Sequence, residues 1–193
     1  MRILGIESSS LVASVAVVTD GVVTAEYTVN FKKTHSQTLL PMLDEIVRMV
    51  ELDLETVDAI AVSGGPGSFT GLRIGSATGK GLGLALKKPL IHIPTVDGMA
   101  YGMYGYGGLV CPIMDARRNQ VYTGIYDNRE GFTAVREQCA MDIDELVDEL
   151  NNMETRVVFL GDGVPVYRER IAERMTVPFS FAPAHVNRQR AAA

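Results

Sequence analysis

Cysteine is scarce in this sequence of 193 residues, which holds only Cys111 and Cys139. Two cysteines are too few for the disulfide framework of a small secreted protein. The first residues also lack the charged and then apolar pattern of a signal peptide. The longest apolar runs are strand-sized, well below the roughly 20 residues that a membrane-spanning helix needs. The sequence therefore predicts a reduced, cytoplasmic protein.

Positive charge is scarce as well, because the formal net charge is −5 and the sequence pI is about 5.2. The basic residues occur as scattered pairs, at 32–33, 87–88 and 117–118. A protein that holds nucleic acid by itself usually carries a basic stripe, since phosphate neutralisation supplies much of the affinity. If this protein acts on RNA, we expect a partner to hold the RNA.

The usual marks of metal and nucleophilic chemistry are missing. Leu39 stands four residues after His35, where a metal pair on one helix needs its second ligand. Ser68 has no histidine in a motif that would activate it, and Cys111 lies in an apolar run. The sequence predicts no metal site and gives nucleophilic catalysis little support.

The two common nucleotide-binding motifs are also absent. Gly79-Lys80 could only belong to a phosphate loop if glycine stood at Ile74 and a hydroxyl residue at Gly81. The glycines that begin at Gly65 miss the dinucleotide-binding spacing by one residue. The segment 63–75 still reads as a tight glycine turn between a strand and a helix. Such a turn either cradles an anion or simply packs, and both alternatives stay open.

The hydrophobic share of 47% and the charged share of 21% suit one globular domain or two small ones. The pattern first predicts strands 2–7, 12–18 and 22–29, a helix at about 36–52, strand 57–62, a glycine-rich helix to 86, strand 90–93 and a short helix from 95. Residues 101–108 are dense in glycine and typical of a hinge. The order then returns as strands 109–114, 120–126 and 132–138, helix 142–151, strand 156–160 and helix 164–175. The doubled pattern indicates an α/β fold of two similar lobes, at 1–104 and 105–193.

A glycine recurs every four residues through the helix that follows the glycine turn. Each glycine inside a helix costs roughly 1 kcal/mol relative to alanine, so the set requires a compensating contact. Steps of four residues form a slanted groove without side chains, into which a neighbouring backbone fits closely. The neighbour is either part of this chain or another subunit. The glycines are Gly71, Gly75, Gly79 and Gly83.

The helix predicted at about 36–52 carries apolar residues over about half its circumference, more than one core face requires. Met42 and Met49 lie seven residues apart at one margin of this arc, and methionine suits adaptable contact surfaces. A second helix of the same chain would cover the extra surface as well as a partner would. The nearby glycine groove favours a partner.

Three acidic residues, Glu7, Asp115 and Asp162, each come at or just after the end of a predicted strand. An α/β protein places catalytic carboxylates at this edge of a sheet. Turn and capping residues occupy the same positions, so both interpretations remain.

Several segments together resemble one known family. They are 3–9 (ILGIESS), 35–41 (HSQTLLP), 65–75 (GPGSFTGLRIG) and 114–118 (MDARR) followed by Val121-Tyr122. In this order they resemble the TsaB family, formerly YeaZ, a glycoprotease-like (M22-like) family that serves tRNA threonylcarbamoyladenosine (t6A) synthesis in bacteria. The likeness covers nearly the whole chain. The family usually continues past Ala193, so the resemblance implies that the C-terminal lobe is incomplete here.

The resemblance implies a two-lobed actin-like or sugar-kinase-like fold (ASKHA, RNase H-like), with a mixed sheet and helices in each lobe. It also implies a catalytic paralogue, TsaD, that carries a second histidine where this chain has Leu39. Related nucleotide-binding folds have a glycine-rich second phosphate loop, whereas residues 115–118 are bulky here. We therefore expect no metal and no cofactor.

The implied role is that of a non-catalytic scaffold that activates TsaD by forming a heterodimer, together with the ATPase TsaE. Contact with tRNA is then only indirect, through the complex, and a homodimer through the same surface is expected in isolation. The predicted interface comprises His35, Leu39, Met42, Ile46, Met49, Gly71, Arg73, Gly75 and Gly79.

The rival interpretation is a stand-alone enzyme on the same fold, an ATP-binding phosphotransferase or a metallopeptidase. Phosphate and magnesium would then be held by a site that in the scaffold interpretation is only vestigial. Its residues are Glu7, Ser8, Gly67, Asp115 and Asp162.

Overall fold

The computed structural model describes residues 1–193, which divide into two compact units. The first unit comprises Met1–Thr95 together with Gln189–Ala193, and the second comprises Val96–Arg188. Each unit is built on a five-stranded mixed sheet with helices packed against it.

The first sheet has the order β3-β2-β1-β4-β5. Its first three strands form an antiparallel meander, and the last two run parallel to β1. Two long helices and one turn of 3-10 helix, Leu54–Thr56, connect the strands. The strands are β1 (Arg2–Glu7), β2 (Val12–Thr19), β3 (Val22–Asn30), β4 (Ala59–Ser63) and β5 (Leu90–Ile93), and the helices are α1 (His35–Met49) and α2 (Phe69–Leu86).

Alternation along the strands places the core of the first unit on one face of its sheet. Leu4 and Ile6 of β1 and Val15 of β2 are buried there against the inward face of α1. Successive side chains of a strand point to opposite faces, so Gly5 and Glu7 belong to the other face. Ile74 and Leu82 of α2 pack against the same core, so α1 and α2 lie on the same side of this sheet.

The second sheet has the order β10-β9-β6-β7-β8 and repeats the same scheme. Three antiparallel strands are followed by two parallel strands, with helices between them. The strands are β6 (Leu109–Arg117), β7 (Gln120–Asp127), β8 (Thr133–Asp142), β9 (Val157–Leu160) and β10 (Phe179–Phe181), and the helices are α3 (Thr95–Tyr101), α4 (Ile143–Asn152) and α5 (Val164–Arg174).

Both faces of the second sheet are buried. Cys111 and Ile113 of β6 pack with α4 and α5, whereas Val110 and Met114 of the same strand pack with α3. Because neighbouring residues point to opposite faces, a strand covered on both sides reads as one continuous apolar run. The sequence 109–114 is such a run.

Every predicted strand and helix is present in the predicted order, and the structure adds β10, which was not predicted. The units divide after Thr95 rather than at the predicted position after residue 104. The physical reason is that Val96, Met99 and Ala100 of α3 are buried in the second unit's core, so the connection comes before α3. The last five residues belong to the first unit. No helix of the chain is both long and apolar enough to cross a bilayer.

Candidate functional site

The glycine turn folds against the loop between β1 and β2. The backbone N–H of Ser68 donates to the carbonyl oxygen of Ser9 at 2.6 Å, and the Ser68 side chain caps α2 by accepting from the N–H of Gly71 at 3.3 Å. A Cβ on Gly67 would collide with the Ser9 carbonyl oxygen. The turn thus approaches the chain's own backbone, which favours the packing interpretation over an open anion cradle.

The glycine face of α2 is occupied by the same chain. Gly71 and Gly75 lie against the backbone and the hydroxyl of Ser8, and Gly79 lies against Val62 of β4. Further along α2, Gly83 meets the backbone at Lys88. The groove inferred from the spacing exists, but the sheet beneath fills it. The prediction that Gly71, Gly75 and Gly79 contact another subunit is therefore corrected, because these glycines contact residues of the same chain.

The inward face of α1 is also covered by this chain. His35, Leu39, Met42 and Ile46 are buried, with exposed fractions of 8%, 2%, 4% and 4%. Their side chains face the sheet, because the apolar arc of α1 packs on β2 and its neighbours. The prediction that these four side chains touch a partner is wrong for the fold described here. Met49 alone of the predicted α1 set is open, at 75% exposure.

His35 serves as an internal anchor. Its Nε2 lies 2.8 Å from the carbonyl oxygen of Ser10, and its ring rests against Gly71 at the start of α2. Buried Nδ1 has no hydrogen-bond partner. Leu39, four residues further along α1, is packed in the core. No group of three or more histidine, cysteine or acidic side chains is placed to hold a metal.

The side of α2 opposite the glycines is open and carries an apolar and basic stripe. Phe69 and Leu84 are 72% and 83% exposed, and the Arg73 guanidinium lies 4.8 Å from the centre of the Phe69 ring. We call this set the α2 stripe: Phe69, Arg73, Ala77, Lys80 and Leu84. Of these residues, only Arg73 is predicted from the sequence to lie at an interface. A helical wheel could have found the others, because at 100° per residue their mean direction lies about 140° from that of the glycines.

Glu7, Ser8 and Gly67 come together in the first unit, but the side chains of Glu7 and Ser8 already form hydrogen bonds within the chain. The Glu7 carboxylate accepts from the N–H of Ser9 at 2.5 Å, and the Ser8 hydroxyl donates to the carbonyl of Gly71 at 2.9 Å. Burial raises the pKa of Glu7, although hydrogen bonds from Ser9 oppose the shift. A phosphate group is negatively charged, so a buried carboxyl group and carbonyl oxygens that point inward suit its binding poorly.

Asp115 and Asp162 come together in the second unit. Asp115 accepts from the Tyr167 hydroxyl at 3.1 Å and from the N–H of Arg117 at 3.0 Å. Burial raises the pKa of Asp162, and the charge of Asp115 adds to that rise while Arg188 opposes it. The β6–β7 turn beside them holds three consecutive non-glycine residues at positive φ. This turn is bulky rather than glycine-rich.

The remaining candidate nucleophile is inert. Cys111 is fully buried in β6, and burial raises the pKa of its thiol to about 12. The thiolate is the reactive form, so this cysteine is a core residue.

Two comparisons place the chain in a family. A family model described as "TsaD: tRNA N6-adenosine threonylcarbamoyltransferase" matches residues 22–191. The "tRNA threonylcarbamoyladenosine biosynthesis protein TsaB" of Bacillus subtilis (strain 168) is 33% identical over 175 residues, which are 90% of this chain and 76% of that protein. The chain belongs to the TsaB family.

Two further matches agree with TsaB membership. The TsaB protein of Escherichia coli (strain K12) is 37% identical over 132 residues, 67% of this chain and 57% of that protein. A Pseudomonas aeruginosa protein "with similarity to peptidase YEAZ" has a crystal structure that superposes with a TM-score of 0.80 and 25% identity, covering 98% of this chain and 86% of that one. The predicted fold class, an actin-like α/β fold with a mixed sheet and helices in each half, is confirmed.

Proposed function

We propose that this TsaB-family chain takes part in t6A modification of tRNA as a non-catalytic subunit that binds and activates TsaD, in a complex that also includes TsaE. The environment of His35 carries the non-catalytic part of this proposal. Leu39 fills the place of a second ligand, and Nε2 of His35 is engaged by the Ser10 backbone. The histidine therefore holds α1 and α2 together instead of binding a metal.

The proposed contact surface is the solvent side of the two helices, made of the α2 stripe and Met49. It retains Arg73 and Met49 from the residues expected at the interface. Aromatic, methionine and arginine side chains are enriched in protein interfaces, and this surface offers all three types. The buried members of the expected set support the surface from below, because they fix α1 and α2 on the sheet.

An enzymatic role would require Glu7, Ser8 and Gly67, or Asp115 and Asp162, to hold phosphate and magnesium. Hydrogen bonds within the chain already engage Glu7, Ser8 and Asp115. Calorimetric titration of the purified chain with ATP and magnesium tests this alternative. We expect no micromolar binding of ATP and no turnover. Observation of either one would favour the enzymatic role.

Threonylcarbamoylation of tRNA by purified TsaD, with TsaE and with or without this chain, tests the proposal itself. We expect the modification to require the chain. Supplying the chain with Leu84→Glu should reduce the stimulation, because a charge would enter the proposed contact. Val166→Glu on α5 is the matched control, since Val166 is 57% exposed and lies in the other unit. Equal rates with and without the chain would exclude an activating role.

A further inference from the structure

Three exposed aromatic rings contact one another on the second unit. Tyr101 and Tyr104 are 53% and 60% exposed, and Phe132 is 38% exposed. The ring centre of Tyr101 lies 5.8 Å from that of Tyr104 and 5.8 Å from that of Phe132. No other exposed aromatic ring of the chain is paired with a second ring. We call Tyr101, Tyr104 and Phe132 the aromatic platform.

Buried groups hold the aromatic platform in place. Phe132 stacks on Tyr126, which is fully buried, with ring centres 5.3 Å apart. The Tyr126 hydroxyl donates to a carboxylate oxygen of Asp97 at 2.7 Å. The Asn128 side chain donates to the carbonyl oxygen of Ala100 at 2.7 Å, which ties the β7–β8 turn at 128–132 to the last turn of α3. Rings that are already fixed lose little conformational entropy when they bind a partner.

Exposed rings in contact are typical of protein interfaces, where tyrosine and phenylalanine are enriched. A groove of about 640 Å³ runs along the β7–β8 turn, and Gly131 and Thr133 are among the residues that line it. These two residues are the chain neighbours of Phe132, so the groove adjoins the aromatic platform. The rings and the groove together offer a surface for a segment of polypeptide.

The free charge beside the aromatic platform is negative. Arg129 lies in the β7–β8 turn and is ion-paired with Asp127 at 2.5 Å. Arg136, the next cation along the chain, is ion-paired with Glu149 at 2.8 Å. Glu130 is exposed, lines the groove and has no ion pair. No lysine or arginine occurs at 89–116, so these surroundings favour a positively charged partner over the phosphates of RNA.

Two other rings are covered by arginines of this chain. The Arg73 guanidinium lies 4.8 Å from the ring centre of Phe69, and the Arg168 guanidinium lies 4.2 Å from that of Phe181. No cation of the chain lies over a ring of the aromatic platform. A guanidinium is planar and weakly hydrated, so it stacks on a ring better than an ammonium group does. The platform therefore lacks the kind of group that covers the other two rings.

We infer that the aromatic platform binds a basic, arginine-containing segment of another protein. Guanidinium groups of that segment lie over the Tyr101 and Tyr104 rings, and the Glu130 carboxylate accepts hydrogen bonds from one of them. The backbone of the segment follows the adjoining groove. The aromatic platform belongs to the second unit and the α2 stripe to the first, so the inference stands independently of the proposed function.

Fluorescence anisotropy with labelled probes tests the inference. The main probe is a peptide in which arginine alternates with glycine. A peptide with lysine in place of each arginine and a single-stranded oligouridine are the comparisons. We expect the arginine peptide to bind at least about threefold more tightly than the lysine peptide, and the oligouridine not to bind. Failure of the arginine peptide to bind, equal binding of the two peptides, or binding of the oligouridine alone would overturn the inference.

Variants separate the aromatic platform from the net charge of the chain. Tyr104→Ala should weaken binding of the arginine peptide about fivefold, whereas Tyr104→Phe keeps the ring and should bind like the unmodified chain. Tyr27→Ala, at an exposed tyrosine of the first unit, is the matched control. Glu130→Gln should also weaken binding, and Glu173→Gln, at an exposed carboxylate of α5, should not. Equal losses in Glu130→Gln and Glu173→Gln would contradict a specific site.

Nuclear magnetic resonance of the unmodified chain decides the question even if a variant fails to fold. With isotopically labelled tyrosine and phenylalanine, the arginine peptide should shift the ring signals of Tyr101, Tyr104 and Phe132. The ring signal of Tyr27 should stay unchanged. Shifts confined to rings outside the aromatic platform would reject this site. The same platform shifts on concentrating the chain without peptide would indicate a second copy as the occupant and would also reject the inference.

Discussion

At the scale of single residues, the glycines of α2 differ in what surrounds them. An added Cβ at Gly75 would collide with the Ser8 hydroxyl, whereas nothing lies within 4 Å of one at Gly81. We expect Gly75→Ala to lower the free energy of unfolding by about 1–3 kcal/mol through overpacking. Gly81→Ala should raise it by up to about 1 kcal/mol, because alanine favours the helix. Urea denaturation measures both, and equal effects would contradict the packing described.

The sequence predicted the glycine spacing but not what the glycines contact. Periodicity shows that one face of a helix is bare. It does not show which backbone lies there, because Ser8 comes from a distant strand end. His35 is similar, since its partner Ser10 sits in a loop with no pattern of its own.

Glu7 gives a residue-scale prediction for pH dependence. Its pKa is raised in the folded chain above the ordinary 4.5, mainly by burial. The unfolded chain therefore releases this proton at a lower pH than the folded chain does. The contribution of Glu7 to stability should fall as pH rises from about 4.5 toward the folded pKa. Glu7→Gln should remove that fall in urea titrations across the acidic range, and an unchanged pH profile would show that Glu7 ionises freely.

At the scale of elements, charged contacts join α4 to α5. Asp144 accepts from Nε of Arg170 at 2.7 Å and lies 2.7 Å from Nη1 of Arg174. These contacts, above all the hydrogen bond from Arg170, lower the pKa of Asp144. The stabilisation is present above the ordinary value of 3.8 and is lost as pH falls through the folded value.

We expect Asp144→Asn to lower the free energy of unfolding by about 1 kcal/mol at neutral pH, since partly exposed pairs contribute modestly. The difference from the unmodified chain should shrink in acid. Glu169→Gln on α5 has no ion pair to lose and should stay within about 0.5 kcal/mol. Thermal unfolding at neutral and at acidic pH measures these differences in the free energy of unfolding. A loss of stability in Asp144→Asn that persists in acid would indicate lost packing instead of lost charge.

The positions of the helices and strands could be predicted better than which face of each helix packs against the sheet. Strand alternation and helix periodicity gave both repeats, because these patterns are local. The wide apolar arc of α1 suggested a partner, yet Leu39, Met42 and Ile46 all face the chain's own sheet. A helical wheel alone cannot show how much of the apolar surface of a helix one broad sheet covers.

At the scale of the whole molecule, the doubled order of strands and helices predicted two units, and the structure has two. The boundary could not be predicted from glycine content. The decisive contacts are those of Val96, Met99 and Ala100 with the second unit's core. The return of the last residues to the first unit depends equally on a distant contact, since Arg190 pairs with Glu26.

The central claim is that the outward side of α2 binds TsaD. The most direct test is the dissociation constant between purified TsaD and this chain carrying Leu84→Glu or the control Val166→Glu. We expect Leu84→Glu to weaken binding at least about tenfold, a loss of about 1.4 kcal/mol. Val166→Glu should bind like the unmodified chain. Unweakened binding of Leu84→Glu would contradict the claim.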